Sequence, residues 1–146
     1  ARQRQAPLGD FWRGFDWPAL GRISGIYGSQ RILNGQPRQP HYGIDIAAPT
    51  GTPVYAPASG LVTLVEDLYF SGHTVVIAHG LGVNSSFLHL DRADVKTGMM
   101  VERGALIGTI GATGRATGPH LDWRIDWQGR RIDPGLLVGA MPNPAS

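Results

Sequence analysis

The sequence predicts an all-β fold: a single antiparallel β-sheet domain with a central groove and little helix. Glycine supplies 21 of 146 residues and proline 11. The glycine share is about twice the usual ~7%, and both residues recur between short apolar stretches rather than in one linker block, as turns between strands do. The stretches themselves are β-branched, aromatic or alternating, and just one segment carries a clear helix start.

In chain order, Leu61-Val62-Thr63-Leu64-Val65, Thr74-Val75-Val76-Ile77-Ala78, Ser86-Phe87-Leu88-His89-Leu90 and His120-Leu121-Asp122-Trp123-Arg124-Ile125 are bounded by turn formers and read as strands. Asp133-Pro134 ahead of Gly135-Leu136-Leu137-Val138 predicts one or two helical turns, with Asp133 as the cap and Pro134 in the first helical position. Residues 1–21 form an N-terminal extension, polar but interleaved with Phe11, Trp12, Phe15 and Trp17, which are expected to pack over the sheet. Residues 22–139 then make up the domain, and 140–146 a frayed tail. The first residues, Ala1-Arg2-Gln3-Arg4-Gln5, lack the apolar core of a signal peptide, as expected of a processed chain or of a domain cut from a longer one.

Bulk composition narrows the function. A chain of this length buries one core without disulfides or a structural metal. No apolar run reaches the roughly 20 residues that a spanning helix needs, so the chain is not expected to cross a membrane. The net charge of +2 is too small and dispersed to indicate nucleic acid, although the pI of about 9.4 suits an anionic polymer. With no cysteine, thiol catalysis and thiolate metal sites are excluded.

The candidate chemistry lies in the histidines. His41 and Asp45 are separated by four positions in His41-Tyr42-Gly43-Ile44-Asp45, a spacing that fits a ligand pair but equally a surface pair or a structural histidine. His120 and Asp122, two apart on an extended segment, project from one strand face, with Leu121 on the other. Zinc takes imidazole nitrogen and carboxylate oxygen, and a catalytic site needs three protein ligands with one position open. His41, Asp45 and one residue of the 120–122 pair supply such a set; the alternative for Asp122 is an ion pair with Arg124 or Arg115. His73 is expected in an exposed hairpin turn, and His79 as a hydrogen-bonded structural residue at a strand end. The glycine-rich stretch from Gly108 to Gly118 leads into a strand rather than a helix N-terminus, which excludes a nucleotide cradle.

With these motifs in this order, the chain resembles the lysostaphin-like (LytM-type) family of zinc metalloendopeptidases, from about Arg22 to about Leu137. The resemblance rests on Ser24-Gly25-Ile26-Tyr27-Gly28, His41-Tyr42-Gly43-Ile44-Asp45-Ile46-Ala47, Pro49-Thr50-Gly51-Thr52-Pro53-Val54 and Ala56-Pro57-Ala58-Ser59-Gly60-Leu61-Val62. It continues through Val75-Val76-Ile77-Ala78-His79-Gly80, Phe87-Leu88-His89-Leu90, Gly104-Ala105-Leu106-Ile107-Gly108 and Gly111-Ala112-Thr113-Gly114-Arg115-Ala116-Thr117-Gly118-Pro119-His120-Leu121.

The resemblance implies that His41 and Asp45 bind Zn2+ and that His89 and His120 are the catalytic imidazoles. It places a third ligand, ordinarily histidine, where this chain has Asp122, and an aromatic that is often tyrosine where it has Phe87. Carboxylate remains a zinc ligand, but a second one adds negative charge and shifts preference toward harder ions such as Mn2+. The implied function is metal-dependent cleavage of peptide cross-links or stem peptides of bacterial peptidoglycan, in the periplasm or outside the cell. The alternative is a weakened or inactive relative that binds cell wall and activates a separate amidase.

Overall fold

The computed structural model describes residues 10–28, 30–33 and 36–142. The strands are β1 (Arg22–Gly25), β2 (Gln30–Leu33), β3 (Gln36–Pro40), β4 (Ile44–Ala47), β5 (Pro53–Tyr55) and β6 (Gly60–Leu68). They continue as β7 (Gly72–Gly80), β8 (Val83–Ala93), β9 (Met100–Val101), β10 (Leu106–Ile110), β11 (His120–Trp127) and β12 (Arg130–Ile132). Ten of them make one antiparallel sheet, ordered β1-β4-β11-β8-β7-β6-β9, with β10 joining β8 to β5 and β12 flanking β11. β2 and β3 pair separately as a hairpin. The all-β expectation holds, and the four strands read from the sequence lie within β6, β7, β8 and β11.

The helical signal at Asp133 produces a single 3-10 turn, Pro134–Leu136, in which the Asp133 carboxylate accepts from the Gly135 amide at 2.8 Å. The cap and the proline act as the sequence predicts, but the turn ends at once, with the Leu137 amide donating back to Pro134.

Val62, Val75, Ile77, Phe87, Leu90, Ile107, Ile110, Leu121 and Trp123 pack the core beneath the central strands. The segment before β1 covers part of it: Phe15 is buried edge-on against His79, and Trp17 meets Trp123 at 6.1 Å between ring centroids. Arg103 anchors this segment by donating to the Asp10 carboxylate and to the carbonyls of Asp10, Gly14 and Pro57. The Trp12 side chain, residues 1–9 and residues 143–146 lie outside the described residues.

His79 is buried, its Nδ1 donating to the Ser59 carbonyl and its Nε2 accepting from the Ser85 hydroxyl, each at 2.8 Å. Burial pushes its pKa down to about 4, against the opposing hydrogen bond to Ser59. His73, expected in a hairpin turn, lies instead within β7, paired with Asp67 and Leu90, because the turn gives way to the strand one residue earlier, at Gly72; its side chain is partly exposed.

Candidate metal centre and groove

Strand register brings the candidate ligands together. In the β4–β11 ladder Asp45 stands directly opposite Asp122, and on the far side of β4 Gly25 of β1 stands opposite Asp45. Directly opposed residues of an antiparallel pair share a face, so both carboxylates emerge on the same side of the sheet. His41 lies just ahead of β4, its carbonyl accepting from the Gly28 amide at 2.7 Å. One nitrogen of His41 and one oxygen each of Asp45 and Asp122 fall within 4.8 Å of one another, and all three side chains are buried.

Two glycines make room for the carboxylates. A Cβ at Gly25 would stand 2.6 Å from Asp45 Oδ2, and one at Gly43 2.5 Å from Asp122 Oδ1. At both positions the absence of a side chain is what accommodates the carboxylate.

The chemistry of this set fits a divalent cation. Like charges opposed across a ladder repel, and burial strengthens the repulsion, so two buried carboxylates in register call for positive charge between or beside them. His41 Nε2 is buried without a hydrogen bond, 3.2 Å from Asp45 Oδ1, and is available as a ligand when neutral. Arg124, two positions beyond Asp122 on the same strand face, donates from Nε and Nη2 to the two Asp122 oxygens at 3.1 and 2.9 Å. The ion pair weighed from the sequence is therefore formed with Arg124. It does not consume the carboxylate, since its oxygens offer about four lone-pair directions and the guanidinium takes two. Burial disfavours the Arg124 charge, but Asp122 and then Asp45 outweigh it and raise the pKa.

His89 and His120 face one another beside this set, with ring centroids 4.9 Å apart. His89 Nδ1 is 2.8 Å from the Thr113 carbonyl and His120 Nδ1 is 2.9 Å from the Gly118 carbonyl. Carbonyls only accept, so in the neutral rings Nδ1 carries the hydrogen and Nε2 the lone pair. His120 Nε2 lies 3.8 Å from Asp45 Oδ1. Burial lowers the His89 pKa, with His120 adding to the effect and the Thr113 hydrogen bond opposing it.

His89 reaches this position through a backbone irregularity. Its φ of 66° is in the left-handed region, and the pairings of β8 with β7 and β10 both slip nearby. Phe87 and Leu90, three apart, both enter the core, while Leu88 and His89 line the groove. Regular alternation would place His89 on the face of Phe87, and the bulge redirects it. All five residues singled out in the sequence, His41, Asp45, His89, His120 and Asp122, line one open groove of about 710 Å3. Sequence reasoning missed Arg22 and Arg131, which line it too; a basic residue on a strand gives no sign by itself of the face it occupies.

Comparison with known proteins places the chain in a family. Residues 39–134 match the model of peptidase family M23. The chain is 41% identical over 113 residues to the peptidoglycan DD-endopeptidase ShyA of Vibrio cholerae, covering 77% of this chain and 26% of that protein. It is 40% identical over 104 residues to the DD-carboxypeptidase/endopeptidase Mpg of Neisseria gonorrhoeae, covering 71% and 24%. The chain thus spans about a quarter of the length of these curated relatives. Among solved structures, a zinc-containing peptidase from Vibrio cholerae superposes with a TM-score of 0.79 at 35% identity, over 89% of this chain and 41% of that one. The catalytic domain of lysostaphin from Staphylococcus simulans superposes with a TM-score of 0.70 at 28% identity, over 80% and 90%. With two thirds of its length matched by the family model and the candidate ligands gathered on one sheet face, the chain belongs to peptidase family M23.

Proposed function

We propose that the chain is the catalytic domain of a metal-dependent endopeptidase that hydrolyses peptide cross-links or stem peptides of bacterial peptidoglycan. The observation that carries this reading is the convergence of His41, Asp45 and Asp122 on one point beside the two imidazoles. Three relatives from Vibrio cholerae, ShyA among them, are described as peptidoglycan DD-endopeptidases, which supports the substrate and a site of action in the cell envelope, periplasmic or extracellular.

In this reading His41 Nε2 and one oxygen each of Asp45 and Asp122 hold Zn2+, with Mn2+ as the harder alternative favoured by two carboxylates. A bound zinc supplies Lewis acidity toward a scissile carbonyl and a water. The protein's own part is proton handling and positioning. His89 and His120 present Nε2 lone pairs to the groove, can accept a proton from the attacking water, and as imidazolium can donate one to the departing amine. Thr113 and Gly118 fix the tautomer of each ring through their carbonyls.

The test is incubation of the protein with purified peptidoglycan and identification of released peptides by mass spectrometry. Cleaved stem or cross-link peptides are expected with zinc, and loss of release with chelator or with His120→Ala. Absence of cleavage with zinc, manganese and cobalt, together with stimulation of a separate amidase, would overturn the reading.

A further inference from the structure

The groove is bordered by arginines on both flanks. Tyr42 lies just ahead of β4, and Phe70 on the turn joining β6 to β7; β11, which carries His120 and Asp122, and β8, which carries His89, run between them. On one flank the Arg131 guanidinium sits 4.6 Å from the Tyr42 ring centroid, and on the other Arg115 sits 5.1 Å from that of Phe70. Both arginines line the groove, and among the described residues no carboxylate pairs with either. By contrast Arg124, Arg103 and Arg92 are all engaged with aspartates.

A guanidinium held on an aromatic face gives up part of its conformational freedom while its N–H edge stays open to a planar acceptor. The Arg115 side is built firmly. The Arg115 amide donates to the Phe70 carbonyl at 2.8 Å. Gly114, at φ 71°, approaches so closely that a Cβ there would meet Gly72 N at 2.3 Å. The wall bearing Arg115 is therefore fixed against the turn bearing Phe70. Among the described residues the only carboxylates lining the groove are Asp45 and Asp122, both buried at its floor. The rim is cationic, and suits an extended ligand with negative charge on both sides of the central histidines.

We propose that Arg115 and Arg131 bind free carboxylates of the substrate, so that the groove selects acidic peptides with carboxylates on either side of the bond to be cut. This rests on the endopeptidase reading for the identity of the ligand as a wall peptide. A carboxylate against a preorganised guanidinium forms a bidentate, charge-assisted pair that an amide does not reproduce.

The experiment compares a cross-linked peptide dimer derived from peptidoglycan with the same dimer after its carboxylates are converted to amides. Binding is measured calorimetrically with zinc-loaded His120→Ala protein, which retains the three ligands, and again with Arg115→Gln, Arg115→Lys, Arg131→Gln or Arg131→Lys added. Amidation is expected to weaken binding by about tenfold or more, the effect of removing one charge-assisted hydrogen-bonded pair. Each Gln variant is expected to lose affinity for the acidic dimer alone, and each Lys variant to recover part of it. Equal binding of the two dimers, or Gln variants that weaken both equally, would overturn the proposal. Cleavage of the dimers by the protein without the His120 change reports separately on the endopeptidase reading.

Discussion

Asp45 and Asp122 face each other directly across the β4–β11 ladder, both buried, with Arg124 clamped on the second of them. Two anionic groups in register are stable there only with positive charge alongside, and Arg124 provides part of it in the protein alone. Replacing Arg124 by Met is expected to destabilise the metal-free protein by about 2 kcal/mol, less than for a fully buried pair because the arginine is partly exposed. Denaturant unfolding in chelator measures the effect, and adding Asp122→Asn to Arg124→Met should recover most of the stability. No recovery would mean that Arg124 stabilises through packing rather than charge.

The two glycines beside the carboxylates make a sharper test of site geometry. Gly43→Ala would drive a methyl into Asp122 Oδ1 and the Trp123 carbonyl, and Gly25→Ala one into Asp45 Oδ2. Each should lower metal affinity by roughly tenfold or more, on the scale seen when the supports of a ligand are disturbed. Gly118→Ala, where an added Cβ meets nothing within 4 Å, should leave zinc titrations unchanged.

His79 predicts a pH dependence of stability. Its folded pKa is about 4 against an ordinary value of 6.5, so between those values the unfolded chain binds more protons than the folded one, and stability rises with pH. The contribution is complete above about pH 6.5, falls as pH drops, and is fully lost below about pH 4, for a total of roughly 3 kcal/mol. His79→Gln should flatten that part of the stability profile measured by urea unfolding between pH 4 and 7. An unchanged slope would assign the acid destabilisation to other groups.

These residues differ in how far the sequence announces them. Spacing by two places His120 and Asp122 on one strand face, and β11 follows that rule. Arg124 obeys it as well, which is why its ion pair was legible as an alternative. His89 does not: alternation along β8 would turn it toward the core with Phe87, and only the bulge at φ 66° brings it to the groove. Its place in the groove was legible through resemblance to a family, not through strand periodicity. The pairing of β4 with β11, which sets Asp45 against Asp122, joins segments far apart in sequence and has no local signature. Likewise Gly25 and Gly43 are not at turn conformations that demand glycine; their need arises from carboxylates on neighbouring segments.

The imidazoles should separate from the metal ligands in their effects. His89→Ala and His120→Ala remove the two imidazoles proposed to handle protons; their Nδ1 atoms are tied to backbone carbonyls, and neither lies in the candidate ligand cluster. Each is expected to reduce peptide cleavage by about 10²–10⁴-fold while zinc affinity stays within a few fold. Parallel decline of zinc binding and activity in either variant would place that histidine in the metal shell.

Asp122 itself we read as a real but weaker third ligand. Asp122→His supplies the neutral nitrogen that zinc binds well, at a position where the strand already aims the side chain at His41 and Asp45. It also leaves Arg124 without its carboxylate, a cost in stability that offsets part of the gain. Zinc affinity should therefore rise and activity be retained or increased, and further substitution of Arg124 by Met should no longer be destabilising. Asp122→Ala leaves two ligands, fewer than the three usual for catalytic zinc, and should lower affinity by about a hundredfold or more. Calorimetric zinc titration of the three proteins decides the matter. Equal affinity in all would place Asp122 outside the metal shell as the partner of Arg124, and zinc bound by Asp122→His alone would show that this chain has exchanged its metal for an ion pair.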